Sequence, residues 1–389
     1  MTTSGDSVLG SRVLNRIRRV HAQAWLRLGP APGHSGQKFA AVVVKLDRIG
    51  DFVLALSAIR IVLRHFGEEQ CALVIAPAVA ELARREFPLA TRIVLPVFLR
   101  HKRAWPGWWR ARALLADISC EHLVCLRHQR WDYDELVLTW IRADQVHALD
   151  DPQSAGWVVN RRSLAPKVGV FFREPTVAVG ACRELELHRA VLAKVLGTPP
   201  VTAELLPRFG AVPVSQQKYA VVMPFSSAAI KDLPVTLLTE AATDVLLPPC
   251  EKIVLVGAPD QRVRLEALAG ELRAVGRRRI EVVAQPNLEE LVALVAGAAW
   301  ILTADTAAAH IATALDRPTV VLLGGGHFGQ FGPWQRSVRQ RWLSHPLPCF
   351  GCGWRCSYPE PWCLTRITVG EVVAALRDVI AQELGFTAK

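Results

Sequence analysis

Short apolar runs alternate with amphipathic stretches along most of this chain, and the alternation stops once and restarts. The first series, from residue 39 to about 172, predicts strands at 71–76, 92–96, 122–126, 145–149 and 168–172 after a first apolar run at 40–44. The second predicts strands at 219–224, 252–257, 280–284, 300–304 and 319–323, with helices near 234–246, 260–275, 287–299 and 306–315. Strand-helix alternation of this kind builds βαβ units around a parallel sheet. Two such series in 389 residues suit two domains, each long enough to bury its own core. A helix at 184–197 closes the first series, and the proline-rich, aperiodic stretch 197–215 reads as the linker. Val369, Val372, Leu376 and Ile380 repeat on one face of a final helix over 368–384. The expected domains are therefore a basic extension at 1–37, Rossmann-like domains at 38–210 and 211–367, and a C-terminal helix at 368–389.

Each series holds one strand that ends in a turn and an aspartate. The first reads Val44-Lys45-Leu46-Asp47-Arg48-Ile49-Gly50-Asp51, and the second Trp300-Ile301-Leu302-Thr303-Ala304-Asp305-Thr306-Ala307-Ala308-Ala309-His310. Such turns bring side chains and free helix amides to the carboxyl edge of a sheet, where α/β proteins bind ligands. Asp51 suits a helix cap, since a carboxylate accepts from first-turn amides and favours the positive end of the dipole. Neither series carries a Gly-x-Gly-x-x-Gly turn or a Walker lysine loop, so nicotinamide and P-loop chemistry are not indicated.

Hydrophobic residues at 51% and charged residues at 21% exclude a mostly disordered chain. The longest uncharged apolar stretch, 291–304, is shorter than the roughly 18 residues a membrane span needs, so no transmembrane helix is expected. A net charge of +11 favours anionic partners without choosing among them. Arg12, Arg16, Arg18, Arg19 and Arg27, with Val13, Ile17, Val20 and Trp25 at near-helical spacing, read as a basic amphipathic helix able to lie on a membrane. A transit peptide or a solvated extension has the same composition, and no secretory signal is visible. Residues 100–112 interleave Arg100, Lys102, Arg103, Arg110 and Arg112 with Trp105, Trp108 and Trp109. That mixture fits an anionic glycolipid or its membrane, or an exposed helix with its tryptophans in the core. No nucleic-acid-binding pattern accompanies the charge, and no nucleic-acid partner is expected.

Arg48-Ile49-Gly50-Asp51, Asp305-Thr306-x-x-x-His310 and Phe331-Gly332-Pro333-Trp334, in this order, resemble the family 9 glycosyltransferases over residues 42–334. These are bacterial heptosyltransferases that build the lipopolysaccharide inner core and, in some branches, modify proteins. The resemblance implies an α/β GT-B fold of two Rossmann-like domains facing each other across a cleft. The first would hold the acceptor, the second the nucleotide sugar, and transfer would be inverting without a catalytic metal. It makes Asp51 the catalytic base, because an acceptor hydroxyl needs a carboxylate to take its proton as it attacks. It makes Lys231, in Met223-Pro224-Phe225-Ser226-Ser227-Ala228-Ala229-Ile230-Lys231-Asp232-Leu233-Pro234, the cation beside the departing diphosphate. The family's basic residue and tryptophan after that lysine are here Asp232 and Leu233.

The same resemblance assigns Ser226, Ser227, Asp305, Thr306, Ala307 and Ala308 to the donor, the last four through helix amides and a hydroxyl aimed at pyrophosphate. Ala307 stands where many members have glycine. His310 reads as a donor contact or as a satisfied core histidine, and Asp260 as a partner for ribose or sugar hydroxyls. Acceptor contacts are expected from Arg48, Arg100, Lys102, Arg103, Arg127 and Arg130. The implied partners are an ADP-heptose donor and an anionic lipopolysaccharide-core acceptor, met peripherally on the cytoplasmic face of the inner membrane. The alternatives are a protein- or other glycan-directed transferase, a nucleotide-sugar epimerase, and a non-catalytic nucleotide-sugar binder.

Four of nine cysteines, Cys349, Cys352, Cys356 and Cys363, form a C-x2-C-x3-C-x6-C group within 349–363. Close-spaced thiolates with intervening glycines suit a structural zinc or iron, against free or disulfide-bonded thiols. Cys71, Cys120, Cys125, Cys182 and Cys250 are scattered and read as small core residues.

Overall fold

The computed structural model describes residues 36–95, 105–127, 130, 132–149, 182–212, 219–243, 250–275, 279–284 and 286–383. The extension at 1–35, the expected strand at 168–172, and Arg100, Lys102 and Arg103 lie outside the described residues. Two compact units are present, the described residues of 1–47, 58–174 and 187–201 in one and those of 48–57, 175–186 and 202–389 in the other.

The first unit holds β1 (Lys38–Lys45), β2 (Cys71–Ile75), β3 (Thr91–Val94), β4 (Ser119–Cys125) and β5 (Arg142–His147) in the order β3-β2-β1-β4-β5, every pair parallel. Its helices are α1 (Ile49–Phe66), α2 (Ala80–Glu86), α3 (Trp105–Leu115), α4 (Asp132–Trp140) and α5 (Arg183–Leu196), the first turns of α1 and α5 counting with the second unit. Ala41 to Val44 and all of β2 are buried, as expected of parallel strands covered on both faces. The strand expected at 145–149 begins instead at Arg142. It is an edge strand with a half-exposed face, so no apolar run marked its start.

The second unit follows the short α6 (Thr202–Leu205) with β6 (Tyr219–Met223), α7 (Val235–Thr243), β7 (Lys252–Gly257), α8 (Arg262–Val275), β8 (Arg279–Ala284), α9 (Leu288–Gly297), β9 (Trp300–Ala304), α10 (Ala307–Ala314), β10 (Thr319–Leu322), β11 (Gln340–Leu343), α11 (Trp362–Thr365) and α12 (Val369–Glu383). The strand order β11-β10-β9-β6-β7-β8 is parallel throughout. Strand β11 was not expected, because Gln340 and Arg341 break any apolar pattern. It is an edge strand, and fully buried Gln340 accepts from the amides of Arg336 and Ser337 and donates to Asp316.

In each sheet the order reverses direction beside the first strand: between β1 and β4 in one, between β6 and β9 in the other. Chains leaving the carboxyl ends of such neighbours diverge to opposite faces, which opens a crevice for ligand. No helix among the described residues is long and apolar enough to cross a membrane.

Candidate active site

The loops after β1 and β4 form a buried ion-pair chain in the first unit. Lys45, only 1% exposed, donates through Nζ to the Leu126 carbonyl at 2.6 Å and pairs with Asp47 at 2.8 Å. Asp47 pairs with Arg127 at 2.6 Å, and Arg127 with Asp134 at 2.8 Å. Burial opposes the Arg127 charge, but the carboxylates of Asp134 and Asp47 outweigh it and raise its pKa. Arg130 is buried against Glu135 at 2.8 Å and donates to the Leu149 carbonyl. Both arginines, expected as acceptor contacts, are paired here with internal carboxylates. Nearby on α3, Trp108 joins the core while Trp109 and Leu114 stay exposed beside Arg110.

In the second unit the start of α1, with Arg48 and Asp51, and the loops after β6 and β9, with Ser226, Ser227, Lys231 and Asp305 to His310, lie together beside its own switch point. Asp51, in the first turn of α1, accepts from the Arg48 amide through Oδ2 at 3.3 Å, so it does act as a cap. The Arg48 guanidinium donates to Ser227 Oγ at 3.3 Å. A Cβ on Gly50 would stand 2.9 Å from the His310 ring and 3.4 Å from the Ala307 Cα. Only glycine therefore lets the start of α1 lie against the start of α10 and set Asp51 beside it.

The loop after β6 is pinned by its own backbone. Ser226 donates its amide to Asp232 at 2.7 Å and its hydroxyl to the Ala228 carbonyl at 2.7 Å, and its carbonyl accepts from Gln261 at 2.9 Å. Asp232 also takes Arg264 at 2.6 Å, and the Arg264 guanidinium lies 3.8 Å from the Phe225 ring centroid. The acid following Lys231 therefore has a local function: it clamps the loop. Neither Gln261 nor Arg264 carried a sequence signal of its own. Asp260 is exposed on the adjoining turn.

At the end of that loop Lys231 Nζ lies 3.4 Å from Asp305 Oδ2, in the turn after β9. Asp305 Oδ1 is 4.0 Å from His310 Nε2. His310 Nδ1 accepts from the buried Trp334 indole at 3.1 Å. An indole only donates, so Nδ1 carries the lone pair and the ring proton sits on Nε2, facing Asp305. Burial pushes the imidazole pKa down to about 4, with Asp305 pulling the other way. His310 is thus a neutral, buried histidine, and Trp334 of the Phe-Gly-Pro-Trp segment orients it. Thr306 caps α10, its hydroxyl accepting from the Ala308 amide at 3.3 Å.

The four-thiolate metal expected at 349–363 is not met: among the described residues no group of three or more His, Cys, Asp or Glu is placed to hold an ion. All nine cysteines are free. The loop is held another way. Gly351 and Gly353, both with positive φ, donate to the Gly325 and Gly326 carbonyls at 2.8 and 3.0 Å, so these amides are spent on backbone rather than on sulfur.

A model of glycosyltransferase family 9 (heptosyltransferase) matches residues 152–356, more than half of the chain. Lipopolysaccharide heptosyltransferase 1 of Salmonella typhimurium is 26% identical over 264 residues, covering 61% of this chain and 74% of that one. Among solved structures, E. coli heptosyltransferase WaaC with ADP-2-deoxy-2-fluoro heptose superposes with a TM-score of 0.61 at 20% identity, over 87% of this chain and 98% of that chain. The family 9 glycosyl transferase from Veillonella parvula DSM 2008 gives 0.65 at 16% identity, over 89% and 97%. The two parallel α/β sheets are those of a GT-B glycosyltransferase, as expected. With a family match over most of the second unit and a fold shared almost end to end, this chain belongs to glycosyltransferase family 9, the heptosyltransferase family.

Proposed function

We infer that this glycosyltransferase moves a heptose or closely related sugar from an ADP-activated donor to a lipopolysaccharide-core acceptor, with inversion and without a catalytic metal. The observation that carries the reading is the meeting of α1 and α10 through Gly50, which gathers Asp51, the amides of Thr306 to Ala308 and the Lys231–Asp305 pair in one unit. The E. coli relatives were solved with ADP and with an ADP-heptose analogue, and that donor is carried over here as part of the proposal. Asp51 takes the proton of the acceptor hydroxyl as its oxygen attacks the anomeric carbon. The bond to the diphosphate breaks on the opposite face, and its negative charge passes to ADP, where Lys231 and the helix amides stabilise it. Asp305 lies beside Lys231, while Ser226, Ser227 and Asp260 border the donor. Arg48, beside Asp51 in the second unit, suits an anionic acceptor, and in the first unit the exposed Trp109, Arg110 and Leu114 suit an anionic membrane surface.

Asp51→Asn tests the base directly, since it keeps the shape and removes the proton acceptor. Transfer from ADP-heptose should fall by at least about a hundredfold, with ADP-heptose affinity by calorimetry unchanged. Transfer that persists in the variant refutes the assignment. Calorimetry with ADP-heptose, UDP-glucose and GDP-mannose tests the donor; binding of either of the latter in place of ADP-heptose removes that part of the reading.

A further inference from the structure

Trp354 sits in an unusual setting that the reaction above does not use. Its φ is +65°, a left-handed conformation that bulky residues rarely adopt and that persists only where the surroundings impose it. The ring fills a slot left by two glycines: a Cβ on Gly324 would stand 2.2 Å from it, and one on Gly326 2.4 Å. Its indole N–H donates to His327 Nδ1 at 3.3 Å, which sets the rotation of the ring. So held, the ring has the Lys231 ammonium 4.9 Å from its centroid, within cation–π range. Lys231 is 19% exposed, and its contact with Asp305 at 3.4 Å is longer than a well-formed charged hydrogen bond.

We propose that Trp354 is a positioning residue for the leaving-group lysine: its π face holds the Lys231 ammonium away from full contact with Asp305, in the place where a diphosphate arrives. The proposal rests on the reading that Lys231 meets that diphosphate. A lysine held only by Asp305 would close onto the carboxylate and have to be pulled off it by the ligand. The ring holds part of the charge without adding a second anion that the diphosphate would have to displace. The strained backbone at 354 and the glycine slot are the structural cost of holding an indole there.

Fluorinated tryptophans at position 354 of the full-length protein, introduced by stop-codon suppression, weaken the ring's potential stepwise while almost preserving its shape. ADP is the probe, by calorimetry. Affinity should fall with each added fluorine, by about fivefold across the series, and the same series in a Lys231→Met background should be flat. A flat series in the Lys231-containing protein, with ADP binding still weakened by Lys231→Met, overturns the proposal and leaves the lysine's role intact. Affinity that rises with fluorination also overturns it, as does a slope that survives in Lys231→Met, which would mean the ring stacks on the ligand itself. Unchanged ADP binding in Lys231→Met removes the lysine reading and the proposal with it. In the ligand-free protein the Lys231 Cε protons should be ring-current shifted upfield, and an ordinary shift likewise overturns the proposal.

Discussion

Acid should loosen the second unit through one histidine. Burial holds His310 neutral, with a pKa of about 4 in the fold. In the unfolded chain the same imidazole titrates near 6.5. As pH falls through 6.5 the unfolded state takes up a proton that the folded state refuses, so stability is complete above about pH 7 and is lost down to about pH 4. At about 1.36 kcal/mol per pH unit of separation, the loss is about 3 kcal/mol. His310→Asn supplies the control: its side-chain oxygen can accept from the Trp334 indole, and it does not titrate. Urea unfolding of both proteins between pH 7.5 and pH 4, followed by tryptophan fluorescence, isolates the histidine, because carboxylates titrate in both. The wild type should lose about 3 kcal/mol more than the variant over that range. Parallel curves would refute the argument and mean that water reaches the ring.

Gly50→Ala improves helix propensity by up to about 1 kcal/mol, yet its methyl would press on His310 and the Ala307 backbone. Transfer activity should drop while thermal stability changes by no more than about 2 kcal/mol, read by activity assay and calorimetric melting. Asp47→Ala removes the carboxylate that buried Lys45 and Arg127 share, leaving Arg127 with Asp134 and Lys45 with the Leu126 carbonyl, and should destabilise the first unit by about 3 kcal/mol, seen as lost hydrogen-exchange protection in β1 and β4. Asp232→Asn releases the Arg264 ion pair while keeping an acceptor for the Ser226 amide. It should weaken ADP binding severalfold at constant melting temperature, and a large melting shift would mean that the clamp is structural alone.

Periodicity carried the fold because a parallel strand buried on both faces must be written as an apolar run, and ten of the eleven described strands overlap a run read from the sequence, the half-exposed edge strand β5 only in part. The eleventh, Gln340–Leu343, did not: an edge strand can be anchored by the hydrogen bonds of one buried glutamine, which looks polar in a sequence. The two strand-turn-aspartate segments were likewise readable, since a switch point follows from strand order and needs no knowledge of side-chain direction. Partner choice was not readable. Arg127 and Arg130 follow a strand like any ligand-binding arginine, and it is the folded turn into the next helix that sets them on Asp134 and Glu135, with Asp47 brought to Arg127 from a distant loop, because a buried guanidinium without a carboxylate is too costly. The cysteine spacing allowed a metal, but spacing constrains chain length and not the direction of a sulfur. Trp334 and Trp354 each found a histidine acceptor far along the chain, and one of them found Lys231. Local sequence writes the strands and turns, whereas the pairing of buried polar groups is settled only when distant segments compete for the same donors and acceptors.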